Sequence, residues 1–221
     1  MEINPSDELE ICEIFYSIQG ESTWAGYPMI FIRLSRCNLD CSWCDTKYAR
    51  EPGTVFSFEN IFKIISEYKC KIVELTGGEP LLQESSVPLT KKLLENGYTV
   101  LLETNGSCPL KIVPPNIIKI MDIKCPSSGM QDKMLWENLN YLNPYLDEVK
   151  FVIADRNDYE YAVQILHKYE LQKLCRAVLF SPILGRMPLQ EFAHWILQDG
   201  LPVRLQIQQH RIIWGENTRG V

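Results

Sequence analysis

The run Arg36-Cys37-Asn38-Leu39-Asp40-Cys41-Ser42-Trp43-Cys44-Asp45-Thr46 sets three cysteines in the spacing C-x3-C-x2-C, with an aromatic residue just before the last. Three thiolates on one short loop can hold three irons of a 4Fe–4S cluster, whereas a complete protein cage uses four. The absent fourth ligand leaves one iron open to a small molecule. The competing readings fit less well. A structural zinc site takes four ligands, usually as two separated pairs. The remaining cysteines, Cys12, Cys70, Cys108, Cys125 and Cys175, form no second C-x2-C pair, and recruiting Cys108 or Cys125 to zinc would be strained. A disulfide framework belongs to secreted proteins. An electron-carrying ferredoxin would place its fourth cysteine near the first three and would not need 221 residues.

Outward from this loop, apolar runs alternate with helical patterns, and no internal repeat, low-complexity tract or linker interrupts them. Strands are expected at 28–34, 71–75, 98–103, 117–123, 149–154, 177–180 and 203–208. Helices are expected at 57–69 with Ser57 as N-cap, at 88–96 closed by Gly97, and at 132–142, 157–169 and 188–198. Residues 11–18 add a strand or a lid. The loop between 98–103 and 117–123 contains prolines and has no room for a good helix. Such alternation implies βα units on a parallel sheet. The expected fold class is therefore α/β: an incomplete, open barrel of parallel βα units lacking one connecting helix, formed as a single domain over 1–221. The segments 1–27 and 209–221 are expected to contribute to its site.

In parallel sheets the ligand sits beyond the carboxyl ends of the strands, and the unusual residues fall there. The cysteine loop follows the first core strand, and Thr76-Gly77-Gly78-Glu79-Pro80 follows the second. Glu103-Thr104-Asn105-Gly106 ends the third, and Asp122-Ile123-Lys124-Cys125-Pro126 ends the fourth. Glycines at a strand end let a ligand approach the backbone, although Gly-Gly-Glu-Pro alone also describes a tight turn. Arg33 is a charge inside an otherwise apolar strand. A buried arginine needs a partner, and an anionic ligand is one; the plain alternative is a charge at the strand end. His210 stands at the end of the last strand, where histidines are often surface residues.

The cysteine spacing, with Gly-Gly-Glu-Pro one strand downstream, resembles the radical S-adenosylmethionine (SAM) superfamily, in which the open iron takes the amino and carboxylate groups of SAM. Ser17-Ile18-Gln19-Gly20-Glu21-Ser22, Phe31-Ile32-Arg33-Leu34 and the cysteine run through Asp45-Thr46 together resemble the 7-carboxy-7-deazaguanine synthase family. The likeness runs from Phe15 to the C-terminus and is most specific over 18–46. It implies a radical SAM lyase of queuosine and deazapurine biosynthesis. That enzyme cleaves SAM reductively, removes a hydrogen from 6-carboxy-5,6,7,8-tetrahydropterin, contracts its ring with loss of ammonia, and requires Mg²⁺. Carried over, Cys37, Cys41 and Cys44 would hold the 4Fe–4S cluster. Trp43, Cys44, Asp45, Gly78, Asp122, Ile123 and Lys124 would contact SAM, with Glu103 and Asn105 as further candidates for its ribose or methionyl part. Thr46 would bind Mg²⁺. Ile18, Gln19, Gly20, Arg33, Thr76 and His210 would contact the pterin. Some family members use their terminal carboxylate in the site, which raises the same question for Val221. The resemblance also suggests a homodimer and an external one-electron reductant of the flavodoxin or ferredoxin type. The alternative within the superfamily is an activase of a glycyl-radical enzyme, with the same cysteine spacing and a protein partner. Gln19-Gly20-Glu21 with Arg33 favour the synthase. A non-catalytic iron–sulfur or zinc module is opposed by the lack of a nearby fourth cysteine.

Composition is consistent with a small-molecule enzyme. Hydrophobic residues make up 46% and charged residues 23%, ordinary for a globular chain. The net charge of −6 argues against gripping nucleic acid, which calls for a basic face. Met1-Glu2-Ile3-Asn4-Pro5-Ser6-Asp7-Glu8 is acidic and has no apolar core of a signal peptide, and no run approaches a membrane span. Eight cysteines without an export signal suit a reducing cytoplasm.

Overall fold

A computed structural model of the chain describes residues 7–215 and 218–220. Its nine strands are β1 (Glu8–Ile18), β2 (Pro28–Leu34), β3 (Thr54–Ser57), β4 (Ile72–Gly77), β5 (Thr99–Thr104), β6 (Ile118–Ile123), β7 (Glu148–Ile153), β8 (Ala177–Pro182) and β9 (Arg204–Leu205). They form one sheet in the order β3-β1-β2-β4-β5-β6-β7-β8-β9. From β2 to β9 every neighbouring pair is parallel. β1 runs antiparallel to both β2 and β3. The two edges do not pair, so the barrel is open, as expected.

Side chains alternate across a strand, and here the alternation sorts two chemistries. The convex face carries Ile30, Ile32 and Leu34 of β2, Val73 and Leu75 of β4, and Val149, Phe151 and Ile153 of β7, all buried. They pack in one cluster with Ile61 and Ile65 of α1 (Phe58–Ser66), Leu89 and Leu93 of α2 (Ser86–Glu95), and Tyr159, Ala162 and Leu166 of α3 (Arg156–Lys168). The concave face is apolar at its base, where Phe15, Met29, Phe31, Leu101, Ile118 and Ile120 form a separate cluster. Two residues further along the same strands, at the carboxyl ends, the same face turns polar.

Local signals explain most boundaries. Ser57 caps α1, its hydroxyl accepting the Asn60 N–H at 3.3 Å. Asp155 caps α3 by accepting the Asp158 N–H at 3.0 Å. Gly97, with φ +76°, follows α2, a position that suits glycine. Short helices α4 (Leu171–Leu174), α5 (Leu189–Gln198) and α6 (Gln209–Trp214) complete the chain order. Between β5 and β6 the chain makes only the 3-10 turn Leu110–Ile112, so the missing helix is real.

Three expectations are corrected. Residues 132–142 form no α-helix but two 3-10 turns, Gln131–Lys133 and Trp136–Tyr141. The buried side chain of Asn138 ties this segment to the loop after β5: it donates to Gly106 O at 3.0 Å and Cys108 O at 2.8 Å and accepts Leu110 N–H at 2.8 Å. The last strand shrinks to Arg204–Leu205, because Gln206 and Gln208 turn their amides toward the N-terminal segment. His210 consequently lies on α6 rather than at a strand end. The edge strand β3 was not expected, and residues 11–18 belong to a longer strand, β1.

Candidate active site

The three cysteines of the loop after β2 open into one cavity at the carboxyl ends of the strands. The loop is held on two sides. From the sheet, Cys37 Sγ accepts Leu39 N–H at 3.5 Å and the Asn105 amide at 3.7 Å, and Asn105 also donates to Asn38 Oδ1 at 3.1 Å. From the turn after β6, Ser128 O accepts Ser42 N–H at 3.1 Å, Ser127 O accepts the Ser42 hydroxyl at 2.6 Å, and Ser127 Oγ accepts Trp43 Nε1–H at 3.0 Å. Ser127 in turn donates its N–H, at 2.8 Å, and its hydroxyl to Asp158, which is fully buried at the start of α3.

Gly77 and Gly78 are glycines because of this loop. A Cβ on Gly78 would lie 2.0 Å from Arg36 O and 2.9 Å from Cys37 Cβ, and one on Gly77, at φ +139°, would lie 2.2 Å from Leu34 O. The space a side chain would need is filled by the backbone that carries the cysteines. Glu79 staples the two strand ends beside it, accepting Leu81 N–H at 3.0 Å, Asn105 N–H at 2.7 Å and the Thr104 hydroxyl.

Across the cavity, the inward-facing positions of β2, β4, β5, β6 and β7 form a layer of charges. Arg33 gives Nε–H to Glu13 at 2.7 Å, and Tyr48 donates to the same Glu13 oxygen at 3.0 Å. The guanidinium sits over the Phe15 ring, 5.7 Å from its centroid. Lys150 bonds Glu21 at 2.9 Å and Glu103. Burial opposes its charge, but the two carboxylates outweigh that and raise Lys150 well above the ordinary range. Against its own burial, Glu103 is held below the carboxylate range by Lys150 and by the Thr76 hydroxyl, which donates at 3.1 Å. Lys124 pairs with Asp122 at 2.6 Å and lies 5.6 Å from the Trp43 ring centroid. Asp122 keeps its other oxygen, Oδ1, buried in this cavity wall without a hydrogen-bond partner among the described residues.

The rim is built by both terminal segments. Gly20 O accepts Gln209 N–H at 2.9 Å, and a Cβ on Gly20 would strike the His210 ring at 2.1 Å. Gln208 donates to Glu21 at 2.8 Å. Arg211 donates to Asp45 at 2.9 Å. Thr46 stands at the N-cap of the turn Lys47–Arg50 but makes no cap bond with its side chain. Its hydroxyl instead donates to Asp45 Oδ1 at 2.8 Å.

The cavity wall thus gathers Ile18, Gln19, Gly20, Arg33, Cys37, Cys41, Trp43, Cys44, Asp45, Thr46, Thr76, Gly78, Asp122, Lys124 and His210. Of the candidates, Ile123 alone is placed elsewhere. Strand alternation points its side chain to the convex core, where it is 1% exposed, so only its backbone remains available. Val221 lies outside the described residues. The charged lining residues not singled out beforehand are Arg50, Glu74, Lys150 and Arg211. Glu74 and Lys150 carried the signal that marked Arg33, a charge within an apolar strand; Arg211 carried none.

An open parallel sheet with a three-cysteine loop after its first parallel strand defines a radical SAM protein, and residues 31–122 match the family model described as the Radical SAM superfamily. Over 96% of its length the chain is 43% identical to a protein of Koribacter versatilis named 7-carboxy-7-deazaguanine synthase, and it covers 100% of that protein. A second so named, from Chlorobaculum tepidum, is 42% identical over 96% of this chain and 97% of its own. The crystal structure of QueE from Escherichia coli superimposes with a TM-score of 0.75 at 26% identity, covering 91% of this chain and 94% of that one. The chain belongs to the 7-carboxy-7-deazaguanine synthase family.

That superfamily uses a 4Fe–4S cluster and SAM, and the residues present fit them. Three thiols share the cavity, and no other cysteine among the described residues lines it; Cys108, Cys125 and Cys175 are buried free thiols. Among the described residues no three of His, Cys, Asp or Glu gather closely enough to hold a single metal ion. A single zinc would draw its thiolates to roughly 4 Å of one another, from Zn–S bonds near 2.3 Å, whereas a cubane spreads them over separate corners.

Proposed function

We propose that this chain converts 6-carboxy-5,6,7,8-tetrahydropterin to 7-carboxy-7-deazaguanine with loss of ammonia. The observation that carries the reading is the shared cavity. The three-cysteine loop forms one wall, and the layer of Arg33, Thr76, Glu103 and Lys150 faces it. The cluster and SAM, when bound, supply the radical that opens the reaction. The chain's own residues bind and orient. Arg33, held through Nε, directs a planar fork at the substrate carboxylate. The Ile18-Gln19-Gly20 backbone, Thr76 and His210 frame the ring. Trp43, Cys44, Asp45, Gly78, Asp122, Lys124 and the Ile123 backbone form the SAM side. Thr46 would offer Mg²⁺ one neutral hydroxyl oxygen, the kind of ligand such a hard ion takes. The same reading makes 1–221 one domain, homodimeric and cytoplasmic, reduced by a flavodoxin or ferredoxin type donor. Among the described residues no helix is long and apolar enough to cross a membrane.

The test is anaerobic reconstitution with iron and sulfide, then assay with SAM, dithionite, Mg²⁺ and the pterin. Formation of 7-carboxy-7-deazaguanine is expected. SAM cleavage that no pterin turns into product would overturn the reading. The relatives lend no support to an activase of a glycyl-radical enzyme.

A further inference from the structure

Of the carboxyl groups that line the cavity, Glu74 stands apart. Glu103 and Glu21 share Lys150, Asp122 has Lys124, and Asp45 has Arg211. Glu74 enters none of these ion pairs. It lies in the middle of β4, beside Phe31 of β2 and Leu101 of β5 in register, 2% exposed yet part of the cavity wall. Its contact is an amide: Gln19 Nε2–H donates to Glu74 Oε2. The amide cannot be turned around without loss, because Gln19 Oε1 already accepts the Glu21 N–H at 3.0 Å. Gln19 itself is 5% exposed, so the pair forms a buried polar floor level with Phe31 and Leu101 of the apolar base.

We propose that Glu74, gripped through Gln19, is a specificity-determining residue that donates a hydrogen bond to an acceptor atom of the bound heterocycle, a ring carbonyl or ring nitrogen; this rests on the pterin reading above. The donor pattern follows from the partners. A carboxyl group whose Oε2 is occupied by an amide N–H has its other oxygen left for the cavity. Burial first, then the neighbouring Glu103 and Glu21 carboxylates against Lys150 and Arg33, raise this carboxyl well above its ordinary value and so favour its protonated form. A neutral carboxyl then presents one O–H donor. Within a buried floor, a ligand acceptor that reaches this depth without a donor is left unsatisfied, and that is how a polar site rejects a near-isostere.

Glutamine is the discriminating substitution. Its carbonyl accepts from Gln19, and its NH₂ donates where the carboxyl O–H did. Leucine keeps the volume and removes both groups. The experiment is steady-state turnover of the pterin by holoenzyme carrying Glu74→Gln or Glu74→Leu, with iron content and melting temperature measured on each. Glu74→Leu is expected to raise KM at least tenfold with a smaller change in kcat, and Glu74→Gln to hold KM within about threefold of the native chain, as exchange of one neutral donor for another implies. An unchanged KM in Glu74→Leu overturns the proposal. So does a Glu74→Gln variant that loads iron and is as impaired as Glu74→Leu, since a carboxylate rather than a donor is then what the site needs. A native holoenzyme that does not consume the pterin refutes the proposed function instead, whatever the variants do.

Discussion

Among the described residues Arg33 and Thr46 each make one side-chain hydrogen bond, and each leaves capacity for a ligand. Glu13 takes only Nε of Arg33, and a lysine there would present a point charge in place of a planar fork. Arg33→Lys is therefore expected to cost about 2–4 kcal/mol of substrate binding, read as a higher KM for the pterin while SAM cleavage without product persists. An unchanged KM would remove Arg33 from the site. Thr46 has two readings with different outcomes. Because its hydroxyl makes no capping bond, Thr46→Val should lose most of the stimulation by Mg²⁺ and keep the cluster spectrum. Thr46→Ser should retain the response. If Thr46→Val instead lowers only the melting temperature and leaves the Mg²⁺ titration unchanged, the metal role is wrong.

The loop and strand elements divide between chemistry and support, and single substitutions should separate the two. Cys37→Ala, Cys41→Ala and Cys44→Ala should each abolish iron and sulfide loading, because three ligands are already one short of a full set. Cys108→Ala, Cys125→Ala and Cys175→Ala should load normally. A normal iron content in any of the first three would sink the cluster assignment. In the β6–β7 pair, Lys119 Nζ and Asp147 form a buried bridge at 2.8 Å, 2% and 0% exposed. Asp147 also accepts the N–H groups of Lys119 and Asn143 at 2.8 and 2.7 Å. Breaking such a pair strands a buried charge at about 3–5 kcal/mol. At roughly 2–4 °C per kcal/mol for a chain of this size, Asp147→Ala should lower the melting temperature by about 6–20 °C; a shift under about 2 °C would contradict it. What could be read from the chain alone follows the same division. Buried strands, Ser57 as a cap and the cysteine loop depend on neighbours in sequence, and they were legible. Residues 132–142 have helical spacing, yet one buried asparagine, Asn138, ties that segment to the loop after β5. Glu74 and Lys150 were visible as charges in apolar strands, but which face they occupy is set by register with strands far away in sequence. Arg211 meets Asp45 across 166 positions, and no local pattern announces it.

At the scale of the whole molecule, the polar floor of the barrel contributes its own pH dependence to stability. Burial first, then Glu103 and Glu21, raise the Glu74 carboxyl well above its ordinary value. The folded state therefore binds this proton more tightly than the unfolded chain does. Its stabilising contribution is complete below the unfolded value near 4.3 and is lost as pH rises toward the folded one. Glu74→Gln carries no such loss, so its melting temperature should exceed that of the native chain at pH 8 and approach it at pH 5. Equal differences at both pH values would mean that Glu74 is ionised in the folded state. The rim has a different consequence. Asp45, next to the last cysteine, is paired with Arg211, and Gly20 packs against Gln209 and His210. A ribosome adding about 5–20 residues per second makes Arg211 roughly 8–33 s after Asp45. For that interval the cysteine loop exists before the rim beside it has been translated, and the inventory of metals and oxidants around the ribosome, rather than the finished pocket, has first access to its thiols.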